Sequence, residues 1–116
     1  MNSGYHRVLS ASTLTGHRVR NRVGEDLGKI EEIMIDLPSG RVAYAVIAFG
    51  GVMGIGEKLF AIPWHALSLD EHQQIFLLDT DRRRMEESPG FDPNRWPDMA
   101  DPAWEAEADE VFSRPR

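Results

Sequence analysis

Residues 27–49 read LGKIEEIMID, LPSG, RVAYAVIAF, and these three pieces decide the fold. In the last piece, residues 41–49, Val42, Tyr44 and Val46 fall on one face of an extended chain, and Ala43, Ala45, Ile47 and Phe49 on the other. Both faces are apolar, which predicts a central strand covered on both sides. Residues 27–36 read as its neighbour, but Ile30 and Ile33 are three apart and break strict alternation. A β-bulge at Glu31 and Glu32 lets both isoleucines point inward. Between the two strands, Leu37-Pro38-Ser39-Gly40 has proline second and glycine fourth, as a type I turn favours, so the whole stretch reads as a hairpin.

The pattern extends in both directions. Upstream, residues 19–23 are the first candidate strand, after which the chain turns through Gly24-Glu25-Asp26. Downstream, the glycine-rich residues 50–56 lead to KLFAIPW at 58–64, where Pro63 limits how far a ladder can run. Two further strands, 66–69 and 75–79, flank a polar turn at 70–74. Residues 81–87 predict a short helix that stops at Ser88-Pro89, because the residue before a proline avoids the helical region. Six short strands separated by turn chemistry predict an antiparallel meander. Curling into a small closed barrel buries one face and removes exposed edges. The expected fold class is therefore all-β: a six-stranded β-barrel with a short helix after the last strand and a tail ending in a second short helix. Residues 1–12 are a lead-in, 13–87 the barrel and 88–116 the tail.

The tail has its own composition. From residue 88 onward there are seven acids, three arginines, five of the seven prolines and two of the three tryptophans. A solvated linker lacks such aromatic residues, so the tail is expected to lie against a surface. Asp101 suits an N-cap and Pro102 the first helical position, while Trp104, Ala108, Val111 and Phe112 recur on one side at helical spacing. A helix of about eleven residues is marginal alone in water, so this stripe needs a docking partner. That partner is either its own barrel or another chain.

Composition excludes several functions. A net charge of -6 and a pI near 5.1 argue against DNA or RNA as partners, since phosphate neutralisation requires a surplus of Lys and Arg. The absence of cysteine removes disulfides, thiol nucleophiles and thiolate metal sites. Residues 1–10 lack the charged-then-apolar design of a secretory signal, which makes a cytoplasmic location the expectation. Residues 42–56 carry no charge, but fifteen residues with several glycines fall short of the roughly 20 that a spanning helix needs, so no membrane span is expected.

No catalytic or cofactor motif survives inspection. The segment Gly50-Gly51-Val52-Met53-Gly54-Ile55-Gly56 resembles a phosphate loop only loosely. Glu57 stands where lysine belongs, Leu59 replaces the hydroxyl residue, and a strand follows in place of a helix. His6, His17, His65 and His72 lack metal-ligand spacing, so neither metal nor cofactor is expected. The pairs Glu31/Glu32, Glu86/Glu87 and Asp79/Asp81 read as solvated charge. Arg82, Arg83 and Arg84 are followed by Glu86 and Glu87, which neutralise them across one helical turn; RNA binding through this run is the alternative reading.

Taken as a set, GED-LGKI at 24–30, SGRVAYAV at 39–46 and GEKLFAIPW at 56–64 resemble the PRC-barrel family in order and spacing. The resemblance covers about residues 13–87, and the Pro89-Gly90-Phe91-Asp92 and Trp96-Pro97 pieces are similar to the tail of free-standing bacterial members. It implies a six-stranded barrel without recognised catalytic residues that acts by gripping protein. Neither the membrane helix of the reaction-centre H subunit nor the RNA-associated domain of the ribosome maturation factor is expected here. The chain is thus read as a non-enzymatic, self-associating interaction module, with a protein partner or a second copy as its ligand. The expected contact residues are Val52, Met53 and Ile55 of the loop, and Phe91, Trp96, Trp104, Val111 and Phe112 of the tail.

Overall fold

The computed structural model describes residues 8–51 and 56–112. A helical turn, α1 (Ala11–Leu14), comes first and was not foreseen from the sequence. Ser10 caps it by accepting from the Thr13 N–H, and Leu14 is thereby lowered into the core. Six strands follow: β1 (Arg18–Arg20), β2 (Asp26–Asp36), β3 (Arg41–Phe49), β4 (Lys58–Pro63), β5 (Leu67–Asp70) and β6 (Ile75–Leu78). A single 3-10 turn at Trp64–Ala66 joins β4 to β5. The chain ends with the helices α2 (Arg82–Glu87) and α3 (Pro102–Phe112).

The strands form one curled, mixed sheet, a half-barrel, in the order β4-β3-β2-β1-β6-β5. The meander expectation needs one correction. β1 pairs antiparallel with β2 but parallel with β6, aligning Arg18 with Ile75 and Arg20 with Leu77. This long-range pairing joins the first and last strands in parallel, whereas a closed six-strand meander would join them antiparallel, and it leaves β4 and β5 at the two ends of the strand order.

The expected bulge is present. Ile30 faces Ile47 and Glu32 faces Val46, so Glu31 is the extra residue and the alternation resets across it. The expected turn is displaced by one residue: the Gly40 N–H donates to the Asp36 carbonyl at 2.7 Å, not to Leu37. Asp36 selects this longer closure, because its carboxylate also accepts from the Ser39 N–H. The first strand ends at Arg20, short of the expected Val23, since the Asn21 N–H is drawn to the Glu25 carbonyl and the chain turns.

β3 is covered on both faces, as its composition requires. Its inner residues Ala45, Ile47 and Phe49 join Val19, Leu27, Ile30, Phe60, Ile62, Phe76, Leu78 and Met85 in the main core. Its outer residues Val46 and Ala48 join Leu59 in a smaller cluster, roofed by Met34 and by Phe91 and Met99 from the tail.

Candidate protein interface

The tail leaves the barrel under tight control. Asp81 caps α2 by accepting from the Arg84 N–H at 2.7 Å, and Met85 on its inner side is fully buried. At the other end the Lys58 ammonium donates to the carbonyls of Glu86 at 2.6 Å and Ser88 at 3.0 Å. A cation among the last carbonyls of a helix complements both their lone pairs and the helix dipole. The exit of α2 is thereby pinned to the start of β4.

Three residues further on, Phe91 exchanges both main-chain hydrogen bonds with Leu59, at 2.8 and 2.9 Å. Gly90 makes the approach possible. Its φ is +59°, and a Cβ there would lie 2.8 Å from the Leu59 carbonyl oxygen. The chain then turns through Asp92 to Ala100, where the Trp96 indole donates to the Pro93 carbonyl and its ring meets Phe91 edge-on at 5.3 Å.

α3 packs back against β4. Asp101 accepts from the Ala103 N–H at its start, as an N-cap does. Trp104 meets Tyr44 edge-on at 5.2 Å, and Phe112 meets Phe60 edge-on at 5.9 Å. The open question of what the tail docks on is thus answered in favour of its own barrel. Beneath it, a cavity of about 340 Å³ is bounded by Leu59 and Ala61 of β4, by Phe91 and Pro97, and by Trp104 and Phe112 of α3.

The sequence-derived contact residues therefore divide. Phe91, Trp104 and Phe112 line this cavity along β4, and Trp96 stacks on Phe91 beside it. Trp96 retains 40% of its surface, and the other three are half-buried. Val52, Met53, Ile55 and the side chain of Val111 lie outside the described residues. Sequence reasoning missed Ile35 and Leu37, exposed at 48% and 85% on the β2–β3 hairpin. The displaced turn and a second register shift at Met34/Ile35 put them there.

Other residues singled out in the sequence are occupied elsewhere. Arg82 pairs with Glu86, donates to the Asp26 carbonyl and stacks 5.2 Å from the Phe49 ring centre. Arg83 pairs with Glu87 at 3.0 Å. Arg82 and Arg83 are thus each paired with a glutamate one helical turn further on, as the sequence pattern implied. Among the described residues no three His, Asp or Glu side chains are grouped to hold a metal, and no helix is long and apolar enough to cross a membrane.

The motifs at 24–30, 39–46 and 56–64 implied a six-stranded barrel, and the curled six-stranded sheet with its bulged second strand is consistent with that. The family model for the PRC-barrel domain matches residues 6–85, more than half of the chain. The chain belongs to the PRC-barrel family. A PRC-barrel is a protein-interaction type of module and the family is generally non-catalytic. No curated protein matches the sequence. The PRC-barrel match ends just before α2 does, so the tail that carries the aromatic cluster lies beyond it.

Proposed function

We propose that this PRC-barrel protein is a non-enzymatic, cytoplasmic interaction module that self-associates through the aromatic side of its sheet. The observation that carries this reading is the ledge formed by Phe91 and Trp96. Trp96 is held in a fixed orientation by its own indole hydrogen bond, yet keeps 40% of its surface beside an apolar cavity. An amphipathic ring fixed in place and partly open is the side-chain type that contributes most at protein interfaces. Trp104 and Phe112 line the same cavity as Phe91, and Val52, Met53, Ile55 and Val111 are proposed as further contact residues.

Light scattering of the full chain across a concentration series tests this. A mass that rises towards twice the monomer, and falls back in Trp96→Ala, is the expected result. A monomer at every concentration would remove self-association from the reading.

A further inference from the structure

The outer edge of β4 is only partly used, and the pattern of its hydrogen bonds shows which groups are left over. In an antiparallel ladder, alternate residues direct both their N–H and C=O to the same neighbour. Leu59 turns both towards Phe91, away from β3. The β3–β4 register runs without a shift, so Ala61 and Pro63 point the same way as Leu59, while Phe60 and Ile62 face β3.

Among the described residues nothing pairs with the Ala61 N–H or C=O. Yet Ala61 is only 4% exposed, and it lines the cavity. Buried main-chain groups almost always find partners, so an unmatched N–H and C=O opening together into a cavity point to a ligand.

The chain itself is prevented from filling the gap. Continuing the Leu59/Phe91 register would place Pro89 opposite Ala61, and proline has no N–H to offer the Ala61 carbonyl. Gly90, at φ +59°, also turns the strand away. At the other end Pro63 supplies no N–H either. Two prolines thus limit the free edge to one residue.

We infer that this cavity is a strand-addition site for one extended apolar residue of a partner polypeptide. That residue's N–H donates to the Ala61 carbonyl, its carbonyl accepts from the Ala61 N–H, and its side chain enters the space between Phe91, Trp104 and Phe112. The inference rests on the reading of the protein as an interaction module. Main-chain pairing supplies affinity in such sites and the side-chain pocket supplies selectivity. A volume of about 340 Å³ is near the lower end of the few hundred to roughly 1,000 Å³ usual for ligand sites, which suits one or two side chains. Arg95 and Glu107 contribute one charge of each sign to the lining, so a neutral residue is favoured over a charged one.

The experiment titrates the isotopically labelled full chain with acetyl-leucine N-methylamide, a single residue flanked by both peptide groups, and follows amide resonances. The expected result is a saturable shift of the Ala61 amide, with binding weakened about tenfold when the leucine nitrogen is methylated and cannot donate. Ala108→Phe, which fills the cavity from α3, abolishes the shift while the melting profile is kept. Equal binding of the methylated probe, or an Ala61 amide that does not respond, would overturn the strand-addition site. If that happens while light scattering still shows self-association, only this site is lost. A protein that takes up the probe but stays monomeric keeps the site and loses self-association.

Discussion

The ammonium of Lys58, the first residue of β4, donates to the main-chain carbonyl of Glu86, in the last turn of α2, at 2.6 Å. It also reaches the Ser88 carbonyl, and so ties together two elements separated by the whole of β5 and β6. This tie fixes the end of α2 just ahead of the point where Phe91 approaches Leu59. Lys58, followed in sequence by the six apolar or aromatic residues 59–64, is a structural residue here, acting as a capping group supplied from another element.

Replacing Lys58 with Met keeps the length of the side chain and removes the donors. Hydrogen bonds to charged groups are worth about 1.5–3 kcal/mol, and a half-buried ammonium shared among carbonyls falls near the lower end. Urea unfolding is expected to show a loss of about 1–2 kcal/mol, with Trp96 and Trp104 fluorescence shifting to the red as the tail loosens. A loss under about 0.5 kcal/mol would show that the carbonyls are equally well served by water.

Gly28 is the most constrained glycine of the fold. Its φ is +118°, and a Cβ there would lie 2.3 Å from the Ala48 carbonyl oxygen, deep in the β2–β3 ladder. Gly24 also has a positive φ, +91°, but nothing stands within 4 Å of its missing Cβ. Gly28→Ala is therefore expected to cost more than about 4 kcal/mol or to abolish soluble expression. Gly24→Ala pays only the conformational term, about 1–2 kcal/mol. Thermal melting of the two variants side by side separates steric exclusion from backbone preference, and equal losses would contradict the assignment.

These comparisons show which parts of the fold are written locally in the chain. The Arg41–Phe49 strand, the bulge at Glu31, the helix before Ser88-Pro89 and the Asp101-Pro102 start of α3 each rest on neighbours within about ten residues. All four stand where the residue pattern puts them. What escaped was non-local. The parallel pairing of Arg18 with Ile75 joins segments whose own patterns fit an antiparallel neighbour equally well. The choice between two docking surfaces for Trp104 and Phe112 rests on Tyr44 and Phe60, and no spacing rule connects them. The free edge at Ala61 is still less visible from sequence, because it consists of main-chain groups. Only the two flanking prolines mark it.

Thr80 carries a different test. It is buried, and its hydroxyl has no partner among the described residues. Its carbonyl, by contrast, accepts from the Asn21 side chain at 3.0 Å. A buried hydroxyl without a hydrogen bond costs about 1–3 kcal/mol of desolvation, whereas the shape-matched valine has nothing to desolvate. Thr80→Val is expected to raise stability by about 1 kcal/mol. Asn21→Ala, which removes donors to Thr80 and Glu25 and an acceptor for the Glu25 N–H, is expected to lower it by about 2–3 kcal/mol. Differential scanning calorimetry of both variants gives the signs directly, and a destabilising Thr80→Val would reveal a partner for the hydroxyl.

The tail helix is expected to behave as one cooperative unit with two anchors. An α-helix of this length is marginal alone in water, so α3 persists because Trp104 meets Tyr44 near one end and Phe112 meets Phe60 at the other. Removing either anchor should release most of the helix, since the remaining contact cannot hold the intervening turns by itself. Trp104→Ala and Phe112→Ala are each expected to lower stability by about 1–3 kcal/mol. The double variant should lose clearly less than the sum, because the second anchor is already idle once the first is gone. Far-ultraviolet dichroism should show the same helical signal missing from all three variants. Strict additivity, with helical signal retained in each single variant, would mean that the two anchors act independently. The tail would then be held to the barrel by main-chain contacts such as the Leu59–Phe91 pair.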